Sequence, residues 1–433
     1  MKLHLQKHCA QLLAVIALLM TGGILFTSCG DEKTEAVRPE SLPISAAATN
    51  GIEALRDDNV KDFNSSSGLY RTIYREKDGS ENICYTDFAT GQEIVLCSQL
   101  NCRHDSEACA SWIPLSEAII RPIPVGNKLV LLHGGNPNFA EMLGEAARAR
   151  VEIMNLDGTD RHEIHAFEAT DMVPTLPRAG LARSANTLYF TIESSLAGNR
   201  TIYAANVETE QVEPIYVMEC EEERIIGGTQ DALLLEYTPG AYDMSNDAET
   251  LVTQVIKLDL NTREVTPVFT HPFHSIGVCA NGSYVSLQQD HTLHIYDLET
   301  GEEKAVRPVV LDEAFQWEYM QSGRFFDGYL LANSSGVDRE FISYRIDVET
   351  GKATELKWGY QDITDYPKPS FIAAEYEDRF VIAIGERRNV TMMPTMEGEI
   401  MGWGLPVTQY GLIAKEDFWN NTGEATPIIN AMK

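Results

Sequence analysis

The chain has 433 residues, with 34 lysines and arginines against 64 aspartates and glutamates, a formal charge of -30. Such a field repels nucleic-acid backbones and anionic lipid head groups, so nucleic acid is excluded as a partner. The same acidic surface keeps the protein soluble and raises the local cation concentration.

The first element reads as an export signal. Lys2 and Lys7 form a short positive region, "AQLLAVIALLM" (10–20) an uncharged apolar one, and "TGGILFTSCG" (21–30) supplies small residues and a cysteine. A segment of this kind is removed rather than kept as a membrane span. An uncleaved anchor is the alternative, because the apolar run from Cys9 to Phe26 approaches the length of a minimal spanning helix. "LFTSC" (25–29) resembles a bacterial lipobox, with Phe26 where leucine is usual. The resemblance implies a signal over residues 1–28, lipidation of Cys29, and an extracytoplasmic protein anchored in a bacterial membrane. Acyl chains anchor because each buried methylene contributes about 0.8 kcal/mol. Residues 29–51, "CGDEKTEAVRPESLPISAAATNG", are small, polar and proline-containing, a composition that forms a flexible tether.

From residue 52 to 433 one pattern recurs. "NICYTDFATGQEIVL" (82–96), "VEIMNLDGTDRHEIH" (151–165), "TIYAANVETEQVEPIY" (201–216), "VIKLDLNTREVTPVF" (255–269), "LHIYDLETGEEKAV" (293–306) and "ISYRIDVETGKATEL" (342–356) are six copies. "LIAKEDFWNNTGEATPII" (412–429) is a seventh with a longer turn. Alternation at period two makes each half a strand. Asp87, Asp259, Asp297 and Asp347 are turn-formers whose carboxylates accept backbone amides, not catalytic acids. Gly91, Gly301 and Gly351 suit a left-handed position.

Each hairpin follows an apolar run: 67–74, 126–134, 185–193, 229–237, 281–288, 327–334 and 377–385. The turns recur at 51 residues (Asn155 to Asn206), 53 (Asn206 to Asp259), 38 (Asp259 to Asp297) and 50 (Asp297 to Asp347). Blades of four strands repeat at roughly 40 to 50 residues, so the expected fold is an all-β propeller. Seven blades are expected, with six or eight as alternatives.

These copies resemble known repeats. "NLDGTDRHEI" (155–164) is similar to the turn of YWTD propellers of the low-density-lipoprotein-receptor type. "YDLETGEE" and "IDVETGK" resemble quinoprotein repeats and those of the lipoprotein serving the outer-membrane barrel-assembly machinery. The whole chain resembles bacterial lipoproteins whose propellers are likened to the YWTD type. The YWTD tetrad is absent. Val95, Pro267, Ala305 and Glu355 stand where quinoprotein repeats carry tryptophan, so no quinone is expected.

Long insertions fall between second and third strands: 135–150 in blade two, 238–253 in blade four and 386–409 in blade seven. With the cysteine loop after blade one they are expected to crowd one rim, the usual place for binding on a rigid scaffold. Tyr242 and Asp243 in one insertion, and Met393, Met396 and Trp403 in another, are the candidate ligand-binding residues; methionine makes such a surface adaptable. The last insertion folding down over the propeller is the alternative. Asp243, Asp247 and Glu249 offer carboxylates, but their spacing is not that of an EF-hand.

"CSQLNCRHDSEAC" (97–109) sets Cys97, Cys102, His104 and Cys109 in a C-x4-C-x-H-x4-C order. Four such donors suit a closed, structural zinc, although the C-x2-C turn of a knuckle is missing. Outside the cytoplasm, cysteines more often pair as disulfides, and Cys97 with Cys109 is then a reasonable pair. Cys84, Cys220 and Cys279 lie apart as free thiols or extra partners.

Neither G-x-S-x-G, H-E-x-x-H, a Walker loop nor G-x-G-x-x-G occurs. The histidines of "HEIH" (162–165), "HPFH" (271–274) and "HTLH" (291–294) read as structural or exposed. The expected function is a membrane-tethered binding or scaffold lipoprotein that holds a protein, peptide or glycan on one rim and requires no cofactor. The alternative is a surface hydrolase or lyase working on polysaccharide or peptide at the propeller funnel.

Overall fold

In the computed structural model, the described residues are 51–55, 62–75, 78–114, 119–174, 180–196, 198–219, 223–241, 246, 250–312, 315, 320–335, 341–394 and 400–430. The signal, Cys29 and the tether to residue 50 lie outside them, as do Cys220, Tyr242, Asp243, Asp247, Glu249 and Met396.

The alternating segments fold into seven antiparallel sheets, a seven-bladed β-propeller. Every apolar run becomes the second strand of a blade and every repeat hairpin supplies its third and fourth strands. In blade one these are Gly68–Tyr74, Glu81–Asp87 and Gln92–Val95. Blade four shows the full pattern: Arg224–Gly228, Ala232–Tyr237, Val252–Asp259 and Val265–Pro272, paired in that order. The first and third turns of a blade therefore share one face, the turn face. The second-to-third loops and the passage to the next blade share the other, the crossover face.

The turns close as the residue chemistry dictates. Thr90 N–H donates to Asp87 Oδ1 at 2.7 Å. Asn261 and Thr262 donate to Asp259, and Glu299 and Thr300 to Asp297, all at 2.8–2.9 Å. Gly91, Gly301 and Gly351 all take positive φ, at 65°, 73° and 73°. The seventh hairpin differs: its turn is the helix Lys415–Asn420, ended by Asn421 at φ 55°.

Buried side chains collect between blades rather than at one centre. Leu96, Ile120 and Leu129 join blades one and two; Leu330, Val285 and Ile346 join five and six. The seam of blades four and five has the smaller apolar set Leu234, Tyr284, Tyr296 and Leu298. A polar chain extends it: Arg224 pairs with Glu236, Tyr284 donates to Glu236 Oε2 at 3.2 Å, and His271 lies 3.2 Å from Tyr284.

Two features were not legible as repeats. Glu53–Leu55 adds an innermost strand to blade three, antiparallel to Leu181–Arg183. Among the described residues, the backbones of blades seven and one are joined by a parallel bridge, with Ile429 N–H donating to Gly91 O and Glu93 N–H to Ile429 O at 2.9 Å.

Candidate metal centre

The outer strand of blade one is interrupted. Gln92–Val95 pairs with the end of Glu81–Asp87, and Trp112–Ile113 pairs with its start. Between them Leu96 N–H donates to Ile83 O, and Ile83 N–H to Ser111 O. Residues 97–110 thus bulge from within the outer strand, and their contacts with Arg75 and Asn82 lie at the crossover-face end of the blade.

The bulge brings four donors together. The thiols of Cys97, Cys102 and Cys109 and a ring nitrogen of His104 all lie within 4.8 Å of one another. His104 Nδ1 is 3.3 Å from Cys109 Sγ. Positive φ at Asn101 (59°) and His104 (56°) turns the chain sharply on either side of Cys102. Cys97, Cys102 and Cys109 form no disulfide, so the pairing of Cys97 with Cys109 that the disulfide reading offered is not formed.

Several groups hold the cluster. Gln99 N–H donates to Cys97 Sγ (3.5 Å) and His104 N–H to Cys102 Sγ (3.4 Å). Ser111 Oγ is 3.2 Å from Cys109 Sγ. Gln99 Nε2 donates to Ala108 O across the loop at 2.8 Å. The carbonyl of His104 accepts from Asn82 Nδ2 at 3.1 Å and from Arg75. From blade two, Arg161 donates to the carbonyls of Ala110 and Trp112, both at 3.0 Å. The sequence signals the four donors; nothing in it points to Asn82, Arg75 or Arg161, because their role depends on the pairing of distant strands.

Burial pushes the Cys97 thiol up to about 12, with smaller upward contributions from Cys109 and Cys102. Burial also acts upward on Cys109, but hydrogen bonds from the Ser111 side chain and backbone, and from the Cys97 and Cys102 thiols, bring it below its ordinary value.

The set fits a tetrahedral ion. At a Zn–S distance of about 2.3 Å, sulfurs at tetrahedral corners stand about 3.8 Å apart. A small inward adjustment from the present 4.8 Å limit reaches that. The four donors fill the coordination shell and leave no position for substrate, the arrangement of a structural rather than a catalytic site. Amide and hydroxyl donors on the sulfurs would spread the excess charge of three thiolates.

The other sequence candidates lie elsewhere. The described residues of the 386–409 insertion are strand rather than loop: Arg379–Pro394 and Ile400–Ala414 pair from Arg379 opposite Ala414 to Pro394 opposite Ile400. Met393 and Trp403 sit on opposite strands of this ribbon, facing Met401 and Thr391 in register. Asn389 ties its base to blade one by donating to Tyr74 O at 2.7 Å. The insertion of blade two forms the short helical segments Pro137–Phe139, Ala140–Leu143 and Gly144–Ala147. His271 contacts Ser275 Oγ at 2.9 Å, but the residue is buried in the blade four–five seam.

No family model matches the chain, and a search of curated proteins finds no significant match. Among solved structures it is similar to the β-propeller domain of the Trilobed protease from Pyrococcus furiosus: 11% identity, TM-score 0.48, 87% of this chain and 95% of that one. A prolyl endopeptidase gives 8% identity and TM-score 0.48 over 85% of this chain, which spans only 55% of that protein. An oligogalacturonate lyase in complex with manganese gives 11%, TM-score 0.42, and 77% and 84% of the two chains. Likenesses of this level carry no argument; the propeller rests on its seven sheets.

Proposed function

We propose that this chain is a lipid-tethered, extracytoplasmic binding propeller, anchored in a bacterial membrane at Cys29, with Cys97, Cys102, His104 and Cys109 holding one structural zinc. The ligand class is a protein, peptide or glycan. The observation that carries the reading is the ribbon of blade seven. Its strands run 16 and 15 residues, against six to eight for most second strands, and extend on the crossover face. Its sequence, "VTMMPTMEGEIMGWG" (390–404), is rich in methionine and carries Trp403, a composition suited to an adaptable contact. The axial position of Glu53–Leu55 supports binding over a funnel enzyme, because the chain's own strand occupies the inner edge of blade three.

The test is site-specific photocrosslinking of the full chain in its native membrane, with the photoreactive residue at Trp403 or, as control, at Glu299 on the turn face. The reading expects a discrete adduct from position 403 that disappears in a Met393→Glu background. Equal adducts from both positions, or none from 403, contradict it.

A further inference from the structure

We infer that the four-donor cluster is an oxidant-sensing site: a hydroperoxide converts its zinc-thiolate form into a Cys97–Cys102 disulfide, and the ion leaves. The inference rests on the zinc reading above and deepens it to the regulation of that site.

The donor count makes the two forms exclusive. Zinc takes the thiolates of Cys97, Cys102 and Cys109 and the His104 ring. A disulfide between two of the thiols removes both as ligands. One thiol and one imidazole are then left, half of a tetrahedral shell. The thiols stand within 4.8 Å of one another and an S–S bond is about 2.05 Å long, so a short movement separates the forms.

Burial and anchoring choose the pair. Cys97 and Cys102 are partly exposed, whereas Cys109 is 2% exposed and lies beside Ser111 Oγ. Among the described residues, the bonds that fasten the loop to the blades fall outside the stretch between Cys97 and Cys102. On one side Leu96 N–H donates to Ile83 O. On the other, Asn82 and Arg75 donate to His104 O, and Arg161 donates to the carbonyls of Ala110 and Trp112. Ser98, Gln99, Leu100 and Asn101, between the two thiols, are all exposed. Gln99 bonds within the loop itself, to Cys97 Sγ and Ala108 O. This stretch closes on itself without disturbing a strand. Leu100, 89% exposed, rides on it, so oxidation reshapes the apolar tip of the loop. Cys84, by contrast, is fully buried in the blade-one sheet, where an oxidant does not reach it.

The chemistry balances with hydrogen peroxide as the oxidant. Metal binding holds the ligating thiols as thiolates. One of the pair attacks a peroxide oxygen: an S–O bond forms, the O–O bond breaks and hydroxide leaves, giving a sulfenic acid. The other thiolate attacks that sulfur: the S–S bond forms, the S–O bond breaks and a second hydroxide leaves. Two electrons pass from the two sulfurs to the peroxide. The two hydroxides take protons from solvent and become water. Cys109 takes up a proton as zinc departs hydrated. The zinc form is the resting state, and a thiol reductant with zinc restores it.

The experiment uses the full chain, reduced, loaded with zinc and freed of excess metal, with the bound ion verified by native mass. Hydrogen peroxide is added in equimolar steps. A chromogenic zinc indicator reads the released ion, and alkylation with peptide mapping reads the thiols. We expect one zinc released for each peroxide consumed, a denatured mass lower by about two daltons, linked Cys97 and Cys102 peptides, and Cys109 still alkylating. Reductant and zinc together should return the starting mass. Zinc that stays bound while peroxide is consumed, sulfinic acid on these residues in place of a disulfide, or a link through Cys109 overturns the inference and leaves the zinc reading standing. A reduced chain that takes up no zinc overturns both.

Discussion

A buried guanidinium closes the ring where backbone pairing is thin. Arg71 Nη2 lies 2.6 Å from Glu93, whose side chain is fully buried, and Arg71 Nη1 donates to Thr408 O of blade seven at 2.8 Å. Nη2 donates to Asn430 Oδ1 at 3.2 Å, and the group stacks 5.5 Å from the Tyr410 ring. Burial works against the charge on Arg71, but Glu93 and then Asp62 outweigh it and hold it protonated. Removing one partner of such a pair leaves an uncompensated buried charge, so Arg71→Met should cost about 3–5 kcal/mol in urea unfolding. Adding Glu93→Gln should recover much of it. A second residue sets the acid limit. Burial pushes the Glu152 carboxyl up, but His133, through its hydrogen bond and charge, and Arg161 at 2.5 Å hold it well below the usual carboxylate range. A lowered folded value means that the unfolded chain takes up the proton first. The stabilisation is complete above the unfolded value of about 4.3 and is lost as pH falls from there toward the folded value. Between pH 6 and pH 3, Glu152→Gln should lose less stability than the parent, by roughly 1–3 kcal/mol, in denaturation curves at each pH.

The turn is the element in which local chemistry and packing between blades meet. Gly301 has φ 73°, and a Cβ there would lie 2.4 Å from the Val268 carbonyl oxygen of the neighbouring blade. Gly282 has the same φ with nothing within 4 Å. A left-handed non-glycine residue costs about 1–2 kcal/mol. Gly282→Ala should therefore lose about that much, and Gly301→Ala clearly more, in parallel melting experiments. The hairpins were readable because the aspartate, the glycine and the period-two alternation are local. The inner strands were not. Leu181–Arg183 and Ile120–Val125 are short or proline-broken, and their burial comes from neighbouring blades. The blade-seven insertion reads as a loop because methionines and glycines mask its alternation, whereas pairing across the ribbon makes it strand. The cysteine cluster was legible as four donors, but its place on the blade edge was not. That place depends on Trp112–Ile113 resuming the outer strand after the bulge.

At the scale of the whole molecule, stability resides in seams between blades, and the N-terminal strand reinforces them from inside. Ile52 belongs to the apolar set of blades three and four, and Leu55 to that of blades two and three. Deleting residues 1–50 should leave the melting temperature of the propeller unchanged. Deleting residues 1–55 should lower it by several degrees, because Arg183 loses Glu53 and two buried side chains go with it. The four-donor cluster belongs to the same scale. Its loop leaves blade one, and Arg161 of blade two donates to the carbonyls of Ala110 and Trp112, so donor cluster, loop and seam form one unit. The most direct measurement is intact mass of the purified full chain, native and then denatured with thiol alkylation. The account predicts one zinc per chain in the native spectrum, lost on unfolding, with Cys97, Cys102 and Cys109 all alkylating. A metal-free native mass, short by two daltons for a disulfide among those three residues, would contradict it.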